Sequence, residues 1–198
     1  MKNEDRYQNQ LALVSRIASV ATRIVPDDLA GVDLRFINAA GKDRLDANGI
    51  EQAIKAVTPK GDSPIGTSLR SQILEPLYNL ISTKTLRRPI LVCIITDGSP
   101  SAETPDVFAN AILECKQKLI EAEYDPASVT FLISQIGSDE FATDFLNSLR
   151  ADSRLDRTLH CTADRLDEKF RQLKENERML ESWLLHTLTK PIMERHEE

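Results

Sequence analysis

Pro89-Ile90-Leu91-Val92-Cys93-Ile94-Ile95-Thr96-Asp97-Gly98 is the stretch on which the fold turns. Its apolar core runs unbroken from Ile90 to Ile95, is rich in β-branched residues, and stops at Asp97-Gly98-Ser99-Pro100. A membrane span needs about 20 apolar residues, so this run is a strand. It is continuous rather than alternating, which predicts burial on both faces, as in a parallel sheet. Val129 to Ile136 repeats the pattern and is closed by Gly137. Between the two runs, Val107, Phe108, Ala111, Ile112, Cys115 and Leu119 recur at helical spacing behind Pro105. Strand, helix, strand in this order predicts a right-handed crossover between parallel neighbours.

The pattern extends both ways. Downstream, Ser138-Asp139-Glu140 opens a helix expected to turn Phe141, Phe145 and Leu149 inward, and Arg157 to Cys161 suits a short edge strand. Asp164 to about Glu194 reads as mostly helical, with Trp183, Leu184 and Leu188 too apolar to stand in water. Upstream, Pro59 to Ser68 reads as a structured loop, followed by a helix whose inward face is expected at Leu69, Ile73, Leu77 and Leu80, with Pro76 kinking it. Ile50 to Val57 is a short helix, Gly41 to Asn48 a polar turn, and Gly31 to Asn38 a strand. Glu4 to Val25 carries a helical stripe at Leu11, Val14, Ile17, Ala18, Ala21 and Ile24, ended by Pro26 and Asp27-Asp28. The fold class is therefore α/β, a doubly wound and mainly parallel sheet with helices on both faces.

Composition narrows the function classes. In 198 residues, 41% are hydrophobic and 28% charged, which suits a packed globular chain. A formal charge of -6 and only 5% aromatic residues leave little for nucleic acid or an anionic membrane to bind. Cys93, Cys115 and Cys161 are odd in number and far apart, and are expected to be buried reduced thiols; His160, His186 and His196 give them no zinc spacing. No signal peptide or sequon is visible, so a reducing, cytoplasmic setting is expected. Phosphate-binding loops, dinucleotide-binding glycine patterns and serine nucleophile elbows are absent.

Ligands of open α/β sheets bind beyond the carboxyl ends of the strands. Asp97 stands there, and either caps the following turn with its own side chain or offers a hard-metal ligand. Gly66-Thr67-Ser68 precedes a helix, where a hydroxyl serves either as an N-cap or as a ligand beside the helix terminus.

Gly66-Thr67 after a polar loop, the strand ending Ile95-Thr96-Asp97-Gly98 and the strand ending Gln135-Ile136-Gly137 together resemble a von Willebrand factor type A domain. Asp33-Leu34-Arg35-Phe36-Ile37-Asn38 and Trp183-Leu184-Leu185 are similar to the intracellular versions common in fungi. The resemblance implies a Rossmann-like fold over residues 1–163 and a C-terminal helical segment, 164–198, packed on the same domain. It further implies a metal-ion-dependent adhesion site for Mg²⁺ or Mn²⁺, in which Thr67 matches the family's threonine and Asp97 its last aspartate. The family's Asp-x-Ser-x-Ser motif and the first, central strand that carries it have no counterpart here. That strand lies between those matching Gly31–Asn38 and Pro89–Thr96, so the resemblance implies a sheet missing its centre and an incomplete metal site.

The function implied is a non-enzymatic protein-interaction module whose partner contributes an acidic side chain. The alternative from another class is a Mg²⁺-dependent hydrolase using Asp97. If the resemblance holds, the genomic sequence directly upstream of the Met1 codon encodes an apolar strand followed by Asp-x-Ser-x-Ser. Transcript sequencing checks this, and an upstream stop codon with no such segment refutes it.

Overall fold

The computed structural model describes residues 3–24, 31–58 and 61–193. The packing divides the chain into two compact units, Met1–Gly61 with Asp164–Leu188 and Asp62–Ala163 with Thr189–Glu198.

The first unit opens with α1 (Asn3–Ile24). Its buried positions are Leu11, Leu13, Ala18 and Val20, a wider face than the expected stripe. The expected stop at Val25 to Asp28 lies outside the described residues. β1 (Val32–Phe36) and β2 (Ala39–Leu45) form an antiparallel hairpin with shifts of register along it. This corrects the reading of Gly41 to Asn48 as a turn. Most of β2 is exposed, so it shows no apolar alternation, and polar contacts hold it instead. Arg35 pairs with Asp43 at 2.5 Å, and the Arg44 N–H donates to Asp33 at 2.9 Å. α2 (Ala47–Lys55) starts where the Asp46 carboxylate accepts the Gly49 N–H at 2.7 Å. α1 packs on α2 and on the later α7 (Leu166–Leu173). α8 (Glu177–Met193) is tied to α1 by the ion pairs Arg16–Glu177 and Arg23–Glu181. Leu184 and Leu188 are buried and Trp183 is half-buried.

The second unit contains α3 (Ile65–Leu69), a π-helical segment (Arg70–Leu74), α4 (Glu75–Ser82), β3 (Ile90–Thr96), α5 (Asp106–Glu121), β4 (Val129–Gln135), α6 (Glu140–Ala151) and β5 (Leu159–Cys161). The three strands are parallel, in the order β3-β4-β5. Every residue of β4 is buried. α5 buries Phe108, Ala111, Ile112, Cys115 and Leu119 as its periodicity predicts, and Phe108 meets Phe145 of α6 edge-on at 5.9 Å between ring centres.

The chain is thus mixed α/β, with strands in two separate sheets rather than one. β3 departs from the expectation of a strand buried on both faces: among the described strands only β4 pairs with it, and the Cys93 side chain at its midpoint is exposed, although the surrounding protein pushes its thiol up to about 12. The face of the 65–82 helix also differs. The Glu75 N–H donates to the Arg70 carbonyl, five residues back, so one turn takes an extra residue ahead of Pro76. Leu69, Leu74, Leu77 and Ile81 therefore line one buried face, whereas Leu80 is exposed. Phe141 is a third correction, at 74% exposure in the first turn of α6. Among the described residues no helix is long and apolar enough to cross a membrane.

Burial pushes the Cys115 thiol up to about 12, with Glu114 adding to the effect, and pushes Cys161 up to about 11 against the opposing charge of Arg150. In the unfolded chain a thiol ionises near pH 8.5. Both thiols therefore contribute stability in full below about pH 8.5, and it is lost as pH rises toward the folded values. The urea midpoint should fall between about pH 8.5 and 11, and Cys115→Ala should make that fall shallower.

Candidate functional site

The rim at the carboxyl ends of β3 and β4 is built by three segments of the second unit. The Ile136 N–H donates to the Thr96 carbonyl at 2.9 Å and holds the two strand ends level. Beyond Thr96 the chain turns sharply. The Thr96 hydroxyl shapes that turn, donating to the Gly98 carbonyl at 2.8 Å and accepting the Gly98 N–H at 3.3 Å. Asp97 takes no part in it. Its side chain is exposed, and no described residue hydrogen-bonds or pairs with its carboxylate. Of the two sequence readings of Asp97, turn-capping is the one the structure does not bear out.

The chain after Gly98 folds back on the residues that lead into α3. Ser101 and Ser63 exchange bonds, Ser101 N–H to the Ser63 carbonyl at 3.0 Å and Ser63 N–H to the Ser101 hydroxyl at 2.7 Å. Ala102 then adopts φ +60°, a left-handed conformation that a residue with a Cβ rarely takes. This swings Glu103 onto the first turn of α3. One carboxylate oxygen accepts the Gly66 N–H at 2.6 Å; the other accepts the Thr67 N–H at 2.9 Å and the Thr67 hydroxyl at 2.8 Å. Glu103 caps the helix from 36 or more positions away, where a local hydroxyl was expected. Pro64, at the N-cap itself, makes no side-chain bond.

Gly66 makes this contact possible. A Cβ built on it would lie 2.5 Å from the Phe108 nitrogen and 2.8 Å from the Phe108 Cα, so only glycine lets α3 approach the start of α5.

The third segment follows β4. Gly137 turns at φ +77°, and the Asp139 carboxylate caps α6 by accepting the Ala142 N–H at 2.8 Å. The buried Gln135 amide donates to the Asp139 carbonyl at 3.0 Å and the Thr143 hydroxyl at 3.1 Å. The helix start is thereby fixed, and Phe141 stands out from it into solvent.

The two residues matched by sequence occupy the same unit. Thr67 lies in the first turn of a helix rather than in a loop, and its hydroxyl proton goes to Glu103. Mg²⁺ is held by oxygen lone pairs directed at one point in near-octahedral geometry. Here the Thr67 hydroxyl and the Glu103 carboxylate satisfy each other, and Asp97 is a single carboxylate with no bond to another described residue. Among the described residues no group of three His, Cys, Asp or Glu converges. This donor set does not fit a resident divalent cation. Sequence reading missed Glu103 because its partners are remote in the chain, and missed the exposure of Phe141 because helical periodicity placed it inward.

Comparison of the chain with protein-family models, curated proteins and solved structures finds no match.

A carboxylate satisfied by two amides and a hydroxyl contributes to stability through charge-assisted bonds, each worth about 1.5–3 kcal/mol at most. Glu103→Ala should lower unfolding free energy by about 1–3 kcal/mol, with Glu103→Gln in between, as read by urea titration at pH 7.

Proposed function

We propose that the chain is a non-enzymatic protein-interaction module of the von Willebrand factor type A kind, and that it meets its partner at the carboxyl-end rim of the β3-β4-β5 sheet. The observation that carries this reading is that the segments following β3 and β4 expose a carboxylate, Asp97, and an aromatic, Phe141. An exposed aromatic in the capped first turn of a helix has the chemistry of an interface anchor.

Two further features support the family reading. The order of elements agrees with it, from the helix bearing Gly66-Thr67 through the strand ending at Asp97 to the strand ending before Gly137. The strands also fall into a two-stranded and a three-stranded group, and the resemblance omits the strand that stands between these groups in the family's sheet.

The partner's chemistry follows from the rim. Without a cation to bind it, an acidic partner group would face Asp97 as a like charge. Recognition therefore runs without metal, through an apolar pocket for Phe141 and a basic group for Asp97. A cytoplasmic setting belongs to the same proposal, consistent with three cysteines that form no disulfide. Nothing favours the hydrolase alternative, since no described histidine, lysine or second carboxylate bonds to Asp97.

The test is capture by the immobilised 198-residue chain, with bound proteins identified by mass spectrometry. One partner should be lost roughly tenfold or more with Phe141→Ala and with Asp97→Ala. EDTA and Mg²⁺ should leave both capture and melting temperature unchanged. Capture that needs Mg²⁺, or turnover of phosphate or ester substrates abolished by Asp97→Ala, would sink the proposal.

A further inference from the structure

An asparagine or aspartate followed by glycine is a chemically labile point in a polypeptide. Glycine puts no Cβ in the way of its own nitrogen, which adds to the preceding side-chain carbonyl carbon and closes a five-membered succinimide. The chain contains two such pairs, Asn48-Gly49 and Asp97-Gly98. Without structure the asparagine pair reacts faster, because a neutral carboxamide does not repel the attacking nitrogen as a carboxylate does. The fold sets the two pairs in opposite surroundings.

Asn48 lies in the first turn of α2. A helical ψ of about −42° turns the next nitrogen away from the side chain. The Gly49 N–H is also held by the capping Asp46 carboxylate at 2.7 Å. Asp97, in contrast, follows β3 and belongs to no helix or strand. It is exposed, and no described residue bonds to its carboxylate. The Gly98 N–H makes a long bond, 3.3 Å to the Thr96 hydroxyl. A Cβ built on Gly98 would meet nothing within 4 Å, so the ring and the water that opens it have room.

We infer that Asp97-Gly98 is a modification site at which the folded chain converts Asp97 to isoaspartate without an enzyme. The Gly98 nitrogen bonds to the Asp97 Cγ. One carboxylate oxygen leaves as water, taking the amide proton and one proton from solvent. A water molecule then opens the succinimide. Addition at Cγ restores aspartate; addition at the main-chain carbonyl carbon leaves the chain running through Cβ and Cγ, with a carboxylate on Cα. Mass and charge are unchanged, but the main chain is one carbon longer between Thr96 and Gly98. That breaks the turn in which the Thr96 hydroxyl donates to the Gly98 carbonyl at 2.8 Å. The new α-carboxylate is the group that isoaspartyl carboxyl methyltransferases esterify from S-adenosylmethionine, so the altered chain becomes a substrate of that class. The inference rests on the chemistry of Asp97 alone and is independent of the partner proposed above.

The experiment keeps the 198-residue chain at pH 7, below its melting temperature, for several weeks. Isoaspartate is located by electron-transfer fragmentation of its peptides and counted by methyl transfer from S-adenosylmethionine with an isoaspartyl methyltransferase. In the folded chain, isoaspartate at residue 97 should exceed that at residue 48 at least tenfold, since a protected site reacts only through local opening. In concentrated urea the order should reverse. Gly98→Ala, whose new Cβ falls in open space, should keep the melting temperature and lower isoaspartate at 97 tenfold or more. If that variant does not fold, Asp97→Glu serves instead; it would need a six-membered ring and should accept no methyl groups at that position. Asp46→Ala, which frees the Gly49 N–H, should speed conversion at Asn48 severalfold. A folded chain that forms no isoaspartate at 97 overturns the inference. So does a folded chain in which Asn48 reacts first, or an undiminished yield in the substituted chain.

Discussion

Val129 to Gln135 are buried one after another, so β4 has no face toward water and a hydrogen-bonded neighbour on either side. Such a strand tolerates polar side chains only where each has a partner. Two of its three polar residues meet that condition through side-chain bonds. The Thr130 hydroxyl donates to the Ala127 carbonyl at 3.1 Å, and Gln135 reaches Asp139 and Thr143. Ser134, only 3% exposed, lies level with Ile95 of β3. β3 and β5 are ordered by this strand, and the rim where Asp97 and Phe141 stand is level because the Ile136 N–H meets the Thr96 carbonyl. The level of that rim is thus a by-product of where β4 ends.

A second constraint acts on the other side of the rim. α3 reaches the start of α5 only through Gly66, and the same close approach brings the Glu103 carboxylate over two helix amides and the Thr67 hydroxyl. The negative charge that favours a helix start comes from within the chain. Thr67 is thereby committed to structure, whereas Asp97 bonds to no other described residue, although the two looked equivalent as candidate ligands. The difference between them is one remote glutamate.

Legibility in the sequence followed the range of the determining interaction. β3, β4 and α5 were readable because apolar runs and 3.6-residue periodicity are local signals, and the buried stripe from Phe108 to Leu119 is the one expected. β2 was not readable, since a mostly exposed strand held by Arg35–Asp43 and by backbone pairing has no apolar rhythm. Cys93 was read as buried because continuous apolarity implies neighbours on both sides, whereas the described sheet supplies one. Within the candidate site, Asp97 was located by its place after a strand. Glu103 and the outward ring of Phe141 depend on tertiary contacts that no short window contains.

The π-turn between Arg70 and Leu74 bears on how the chain tolerates changes of length. An α-helix advances about 100° per residue. Removing one residue from this turn restores the regular period and rotates everything from Glu75 to Ser82 by about that angle, carrying Leu77 and Ile81 off the buried face. It also returns the Pro76 ring toward the carbonyl four residues before it, the clash that a widened turn relieves. A single-codon deletion here therefore acts as a phase error along the following two turns. In an alignment of divergent copies, a one-residue gap at this point should travel with a proline lost at 76 and an apolar pattern displaced by one position.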